Sequence, residues 1–213
     1  LNVAGSVSYM LGEANKGLEA MFIFMNTARI GTAIQGICHA EAAFQGALPY
    51  ARERRSMRAL SGRKDPDFPA DALIWHPDVR RMLLTQKAIA EGGRAMIYSA
   101  AQLADVMFNA VNEGDDRKCR EYDNKLGFYT PIPKGFLTEM GVEAANLGMQ
   151  VYGGHGYIHE HGMEQIARDA RIATLYEGTT GIQALDLLGR KVLLATRGKC
   201  VRDFTGIVLG FAR

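Results

Sequence analysis

The chain has 213 residues, 47% of them apolar, with 25 basic against 23 acidic residues and a net charge of +2. That is enough apolar material for a packed core, and too balanced a charge for a polybasic face that would bind nucleic acid. No apolar run approaches the roughly 18–20 residues that cross a bilayer, and the opening "LNVAGSVSYM" lacks the basic flank and apolar stretch of a signal peptide, so the expected setting is cytoplasmic with no integral membrane segment.

Residues 3–15 mix β-formers with Gly and Ser and read as the tail of a strand and its loop. From Leu18 the period turns helical, first through Leu18, Met21, Phe22 and Met25, then through Ile30, Ile34, Ile37, Phe44 and Leu48. The spacing predicts one long helix over about 18–54, with Pro49 kinking its last turns. "SGRKDPDFPADALIW" is a loop that ends in the helix-start signal His76-Pro77-Asp78. A second long helix is expected over about 77–112, where Gly92 and Gly93 allow a neighbour to come close. Beyond "NEGDDRK" a further helical pair is expected, broken at 129–135 by the two prolines of "YTPIPKG". "GGHGYIHEHG" reads as a loop, followed by a short basic helix over about 163–172 and a last helix over about 179–194. No sustained alternation survives beyond the first dozen residues, so the fold class is all-α, an antiparallel four-helix bundle. Leu1 in place of Met, and the apolar end "RDFTGIVLGFAR", read as the cut ends of a longer polypeptide.

Few residues point to chemistry on their own. Cys38, Cys119 and Cys200 are widely spaced and read as reduced thiols. His155, His159 and His161 sit in a glycine-rich stretch with no CxxC or HExxH frame, and read as polar loop histidines rather than metal ligands. Gly153 and Gly154 fit either a structural turn or a backbone platform for a ligand. Arg29, in the small and apolar "FMNTARIGTA", either snorkels to solvent or serves a buried anion. Arg54 complements the dipole at the far end of the same helix, roughly 37 Å away. Glu177, in "YEGTTGIQ", is either an ordinary helix-start acid or a base. Gly178 beside it permits close approach of another molecule, and Thr179 and Thr180 offer hydroxyls near free helix N–H groups.

Taken together and in order, "LGEANKGLEAMF", "ARIG", "YARER" at 50–54, "MQVYGGHGY" at 149–157 and "RDARIATLYEGTTGIQ" at 168–183 resemble the C-terminal helical domain of the acyl-CoA dehydrogenases. These are flavoproteins that oxidise acyl-CoA thioesters to enoyl-CoA. The wording from Val151 onward is most similar to the long, methylthiopropionyl-CoA dehydrogenase-like branch. The resemblance covers nearly the whole chain. It implies that residues 1–16 end a middle β-domain and its linker, 17–198 form the bundle, and 199–213 begin a C-terminal extension.

The resemblance further implies that Glu177 is the base that removes the α-proton, with hydride passing to FAD, and that Arg29, Tyr176 and Gly178 line the substrate pocket. Arg54, Ser56, Gln150, Gly153, Gly154 and Thr179 fall at positions around FAD, Arg54 reaching the cofactor of a neighbouring subunit in a homodimer or tetramer. An electron-transfer flavoprotein is the implied electron acceptor. Three departures stand out: Met57 and Arg58 where the family has Phe-Gly, Gly181 in place of a polar residue, and a longer loop between the first two bundle helices. Outside this reading stand a bundle serving only subunit assembly and a related flavin oxidase.

Overall fold

The computed structural model describes residues 4–212, leaving aside the side chains of Glu19, Phe22 and Ile23; Val3 of the expected strand and the Phe22 side chain of the expected stripe thus lie outside the described residues. The helices are α1 (Gly17–Glu53), α2 (Pro77–Glu113), α3 (Asp116–Tyr129), α4 (Pro131–Tyr152), α5 (Gly154–Tyr157), α6 (Met163–Ala173), α7 (Thr180–Leu185) and α8 (Lys199–Phe211). A π-helical run, Asp186–Ala195, continues α7.

Local chemistry sets most boundaries. Pro77 stands in the first turn of α2 with Asp78, and α2 ends at Gly114 in the left-handed conformation. The Asp115 side chain caps α3 by accepting from the Lys118 N–H. Pro131 and Pro133 do not break the chain into a loop as expected. They occupy the first turn of α4, where a missing N–H costs nothing, and only Thr130 separates α3 from α4. The expected loop at 153–162 also contains short turns of helix, α5 and a 3₁₀ turn at His159–His161.

Neighbouring residues fix the topology. Gly93 packs on Ile37, Arg94 pairs with Glu41 at 2.7 Å, and Met82 and Leu83 cluster with Ala47 and Ala51, so α1 and α2 run antiparallel. Gly36 faces Gly141, Ala43 faces Gly148, and Tyr50 stacks on Tyr152 with ring centroids 3.9 Å apart, so α1 and α4 run in the same direction. Gly135 faces Gln183 while Gly127 faces Lys191, so the rod of α7 and the π-helical run descends against α3 and α4. The four rods alternate in direction, the antiparallel four-helix bundle that the sequence predicts. α6 packs across α4 and α1.

The face of α1 that is buried differs in part from expectation: Ile30 and Ile37 are buried in the core as the spacing predicts, but most of the rest of the buried face is made of small residues. Ala33, Ala40, Ala43, Ala47 and Ala51 are fully buried, whereas Ile34 is 38% exposed and Phe44 and Leu48 are half-buried. The cause is the close passage of α1 against α4: a methyl group on Gly141 would lie 2.5 Å from the Gly36 carbonyl oxygen. Large side chains have no space in that seam. Of the expected glycine pair in α2, Gly93 lies against Ile37, while Gly92 has open space beside it.

Residues 4–16 are exposed and contain no strand, and the single β-type pairing among the described residues is a bridge between Arg55 and Ala72. A strand is held by pairing with a neighbour, and the described residues provide none beside this segment. The loop after α1 is organised by buried Asp71, whose carboxylate accepts from the N–H groups of Ala59, Lys64 and Asp65 and from Arg58 Nη1. Burial alone would push this carboxyl up; the hydrogen bonds outweigh it and hold it well below the usual carboxylate range. Two of the departures are therefore one feature, because Arg58 also donates to the Asp65 and Phe68 carbonyls and so ties the longer loop down.

Candidate functional site

After α6 the chain turns sharply. Glu177 and Gly178 take successive left-handed conformations, with φ of 58° and 90°, and Thr179 then caps α7 by accepting from the Ile182 N–H. A non-glycine residue in that region persists where its surroundings hold it. Here Gln183 Nε2 donates to the Glu177 carbonyl at 2.9 Å and to the Gly178 carbonyl at 3.2 Å. Lys134 Nζ donates to the same Gly178 carbonyl at 2.5 Å, and the Tyr176 hydroxyl donates to Gln35 Oε1 at 2.6 Å. The Glu177 N–H makes no hydrogen bond among the described residues.

Beneath this turn lies a charged layer. Lys134 is fully buried; burial pushes its ammonium down, Arg29 adds to this, and the carboxylates of Glu177 and Glu139 oppose it. Arg29 is 4% exposed and donates from Nη1 to Asp186 Oδ2 at 2.6 Å, which decides the sequence alternatives in favour of a buried partner. Asp186, on the first turn of the π-helical run, also takes Arg190 Nε at 2.5 Å and stands 3.6 Å from Lys191 Nζ. Burial would raise its carboxyl; the hydrogen bonds from Arg190 and Arg29 outweigh that and hold it low. A cavity of about 250 Å³ opens beside these groups, with Asn26, Arg29, Phe128 and Lys191 in its wall.

Arg29, Tyr176, Glu177, Gly178 and Thr179 therefore belong to one region, gathered from α1 and the turn before α7. Arg54, Ser56, Gln150, Gly153 and Gly154 form a second group at the other end of the bundle. Along α4, the distance from Lys134 to Gly153 is roughly 28 Å at 1.5 Å per residue. Thr179, expected beside the cofactor, lies with the first group. In the second, the side chains of Arg54, Ser56 and Gln150 are exposed, and the Ser56 backbone pairs with Asp71 and His76. Gly153 has φ 60° and ψ −136°, a conformation essentially restricted to glycine.

The histidines are used locally. The Tyr50 hydroxyl and His155 Nδ1 share a hydrogen bond of 2.8 Å, and the rings of His155 and His161 stack. Next to Arg54 the surface is concave, about 460 Å³, lined by Arg52, Arg55, Arg80 and Trp75, with Asp65 neutralising Arg55. Guanidinium groups around a concave, partly aromatic wall suit a diphosphate-bearing dinucleotide, so the donor set at this end fits the FAD that the sequence resemblance implies.

The sequence reading missed Lys134, Gln183 and Asp186. A lone lysine between Pro133 and Gly135, on the stripe that includes Leu137 and Thr138, was the available signal.

Comparison with known proteins adds the relationship. The family model for the acyl-CoA dehydrogenase C-terminal domain matches residues 15–193. Over 203 residues the chain is 44% identical to 3-methylmercaptopropionyl-CoA dehydrogenase of Ruegeria pomeroyi, covering 95% of this chain and 33% of that protein. It is 36% identical to the broad-specificity linear acyl-CoA dehydrogenase FadE5 of Mycobacterium tuberculosis, covering 87% of this chain and 30% of that protein. Among solved structures, butyryl-CoA dehydrogenase from Megasphaera elsdenii superposes with a TM-score of 0.65 at 26% identity, covering 84% of this chain and 40% of that one. The chain spans about a third of the length of the curated relatives it matches.

Proposed function

This chain belongs to the acyl-CoA dehydrogenase family, as its C-terminal domain, and we propose that it supplies the base and part of the cofactor site of an enzyme that oxidises acyl-CoA thioesters to enoyl-CoA. The observation that carries the proposal is the clamped turn at Glu177, a carboxylate on a left-handed backbone that Gln183 and Lys134 hold from below.

In this reading Glu177 takes the proton from the carbon next to the thioester carbonyl. Its own N–H, without a partner among the described residues, donates to that carbonyl oxygen and stabilises the negative charge that develops there. Arg29, Tyr176 and Gly178 shape the surrounding pocket. A carboxylate covered by an acyl chain meets the α-proton with bulk water excluded. FAD, once bound, would supply the acceptor for the hydride that leaves the β-carbon. Gln150, Gly153 and Gly154 with Arg54 and Ser56 would hold the cofactor at the far end of the bundle, and Thr179 would hold it near the base. The separation of those two groups by the length of α4 favours a homodimer or tetramer in which each bundle serves two cofactors. An electron-transfer flavoprotein would be the partner that takes the electrons onward.

The test is the visible spectrum of the full-length, FAD-loaded enzyme before and after a panel of acyl-CoA thioesters. Bleaching of the flavin band by one of them, abolished in Glu177→Gln with FAD still bound, is the expected result. A flavin that no thioester reduces, or full bleaching by the variant, overturns the reading.

A further inference from the structure

We propose that Lys134 is a positioning residue for the base: its buried ammonium holds the left-handed Glu177–Gly178 turn by the Gly178 carbonyl and sets the field in which the Glu177 carboxylate takes a proton. The inference rests on the reading of Glu177 as the base. The Gly178 carbonyl already accepts from Gln183 Nε2 at 3.2 Å, so the 2.5 Å bond from Lys134 is not needed merely to satisfy that oxygen. A neutral donor at that place would avoid the cost of taking an ammonium fully out of water. That cost is visible in the downward push that burial and Arg29 exert on Lys134.

Other charged groups around the turn have hydrogen-bond partners of their own. Arg29, facing from α1, is paired with Asp186 at 2.6 Å, and Asp186 also serves Arg190 and Lys191 from the π-helical run. Glu139, on α4 itself, accepts a hydrogen bond from the Thr180 hydroxyl at 2.6 Å. Lys134 has a backbone carbonyl as its hydrogen-bond partner, and the carboxylates that oppose its downward push are Glu177 and Glu139. A cation whose direct partner is neutral leaves its field on the carboxylates around it, here Glu177 and Glu139, and Glu177 is the covalent neighbour of Gly178. The same bond fixes the backbone on which that carboxylate is carried.

The test uses the full-length, FAD-loaded enzyme with Lys134→Met, Lys134→Gln and Lys134→Arg beside Glu177→Gln. Lys134→Met and Lys134→Gln are expected to retain FAD, to lower kcat about 10- to 100-fold through misplacement of the base, and to leave KM for the thioester within about threefold. Loss of the neighbouring positive charge disfavours a carboxylate, so the acidic limb of the pH profile of kcat/KM moves to higher pH. Lys134→Arg keeps the charge and restores the position of that limb.

Near-normal kcat with an unmoved limb in flavin-loaded Lys134→Gln overturns the proposal, and so does loss of flavin or fold in all three variants, which assigns Lys134 to folding alone. If Lys134→Met by itself does not fold, the limbs of Lys134→Gln and Lys134→Arg decide the matter: different limbs support the proposal and equal limbs overturn it. Bleaching retained in Glu177→Gln refutes the base reading itself, whatever the Lys134 variants show.

Discussion

Arg29 and Asp186, 157 positions apart in sequence, meet at 2.6 Å in a nearly dry layer between the first and last rods of the bundle. The pair links the helix that begins the domain to the π-helical run that follows the Glu177 turn, so the site and the bundle share one electrostatic support. Removing one partner of a buried pair leaves the other uncompensated, at a cost of about 3–5 kcal/mol. Asp186→Leu should therefore be strongly destabilising in urea unfolding followed by helical circular dichroism. Combining it with Arg29→Met should recover part of the loss. A double variant no more stable than Asp186→Leu alone would count against the pair.

Asp186 also gives a pH signature. Its carboxyl is held below the ordinary range, so its contribution to stability is fully present above the unfolded value of about 4 and is lost as pH falls through the lower folded value. Acid unfolding of Asp186→Asn should show a shallower decline below pH about 4 than the parent chain.

Lys191 has the opposite behaviour on the alkaline side. Burial, with Arg29 and Arg190 adding and Asp186 opposing, pushes its ammonium down to about 8. Between that value and the unfolded one near 10.4 the unfolded chain binds the extra proton, so stability rises with pH across this window. Unfolding measured at intervals over the window should show the rise in the parent chain and lose it in Lys191→Met. An unchanged slope in the variant would assign the rise to another group.

The α1–α4 seam separates two kinds of glycine. Gly141→Ala introduces a methyl group against the Gly36 backbone and should cost about 1–3 kcal/mol through overpacking. Gly92→Ala, with open space around it on the exposed face of α2, should stabilise by about 0.5–1 kcal/mol through helix propensity. Chemical unfolding of the two variants side by side checks the contrast, and equal effects would refute the close approach.

Arg54 is exposed at the end of α1, where its backbone N–H caps the helix by donating to the Tyr50 carbonyl. Arg54→Gln keeps that cap. It should leave thermal stability within about 0.5 kcal/mol while weakening FAD retention in the full-length enzyme, measured as flavin absorbance after gel filtration. Full retention of flavin would remove Arg54 from the proposed cofactor site.

The sequence by itself determined the helical class, the extents of the two longest helices and the family, because helical periodicity, proline and glycine punctuation and short motifs are local properties of the chain. Pro131 and Pro133 show the limit of that reading: the same residues end a helix or begin one, and the difference depends on what precedes them. The sequence also singled out Glu177 and its neighbours through resemblance. Only the tertiary structure decided that alanines rather than Ile34 or Phe44 fill the α1 seam, because the distance between two helix axes is a property of both helices. It alone brought Lys134 beneath Gly178 and Asp186 to Arg29. A buried charge is matched by partners remote in sequence, and no local pattern announces which residue, more than forty or more than a hundred and fifty positions away, will stand beside it.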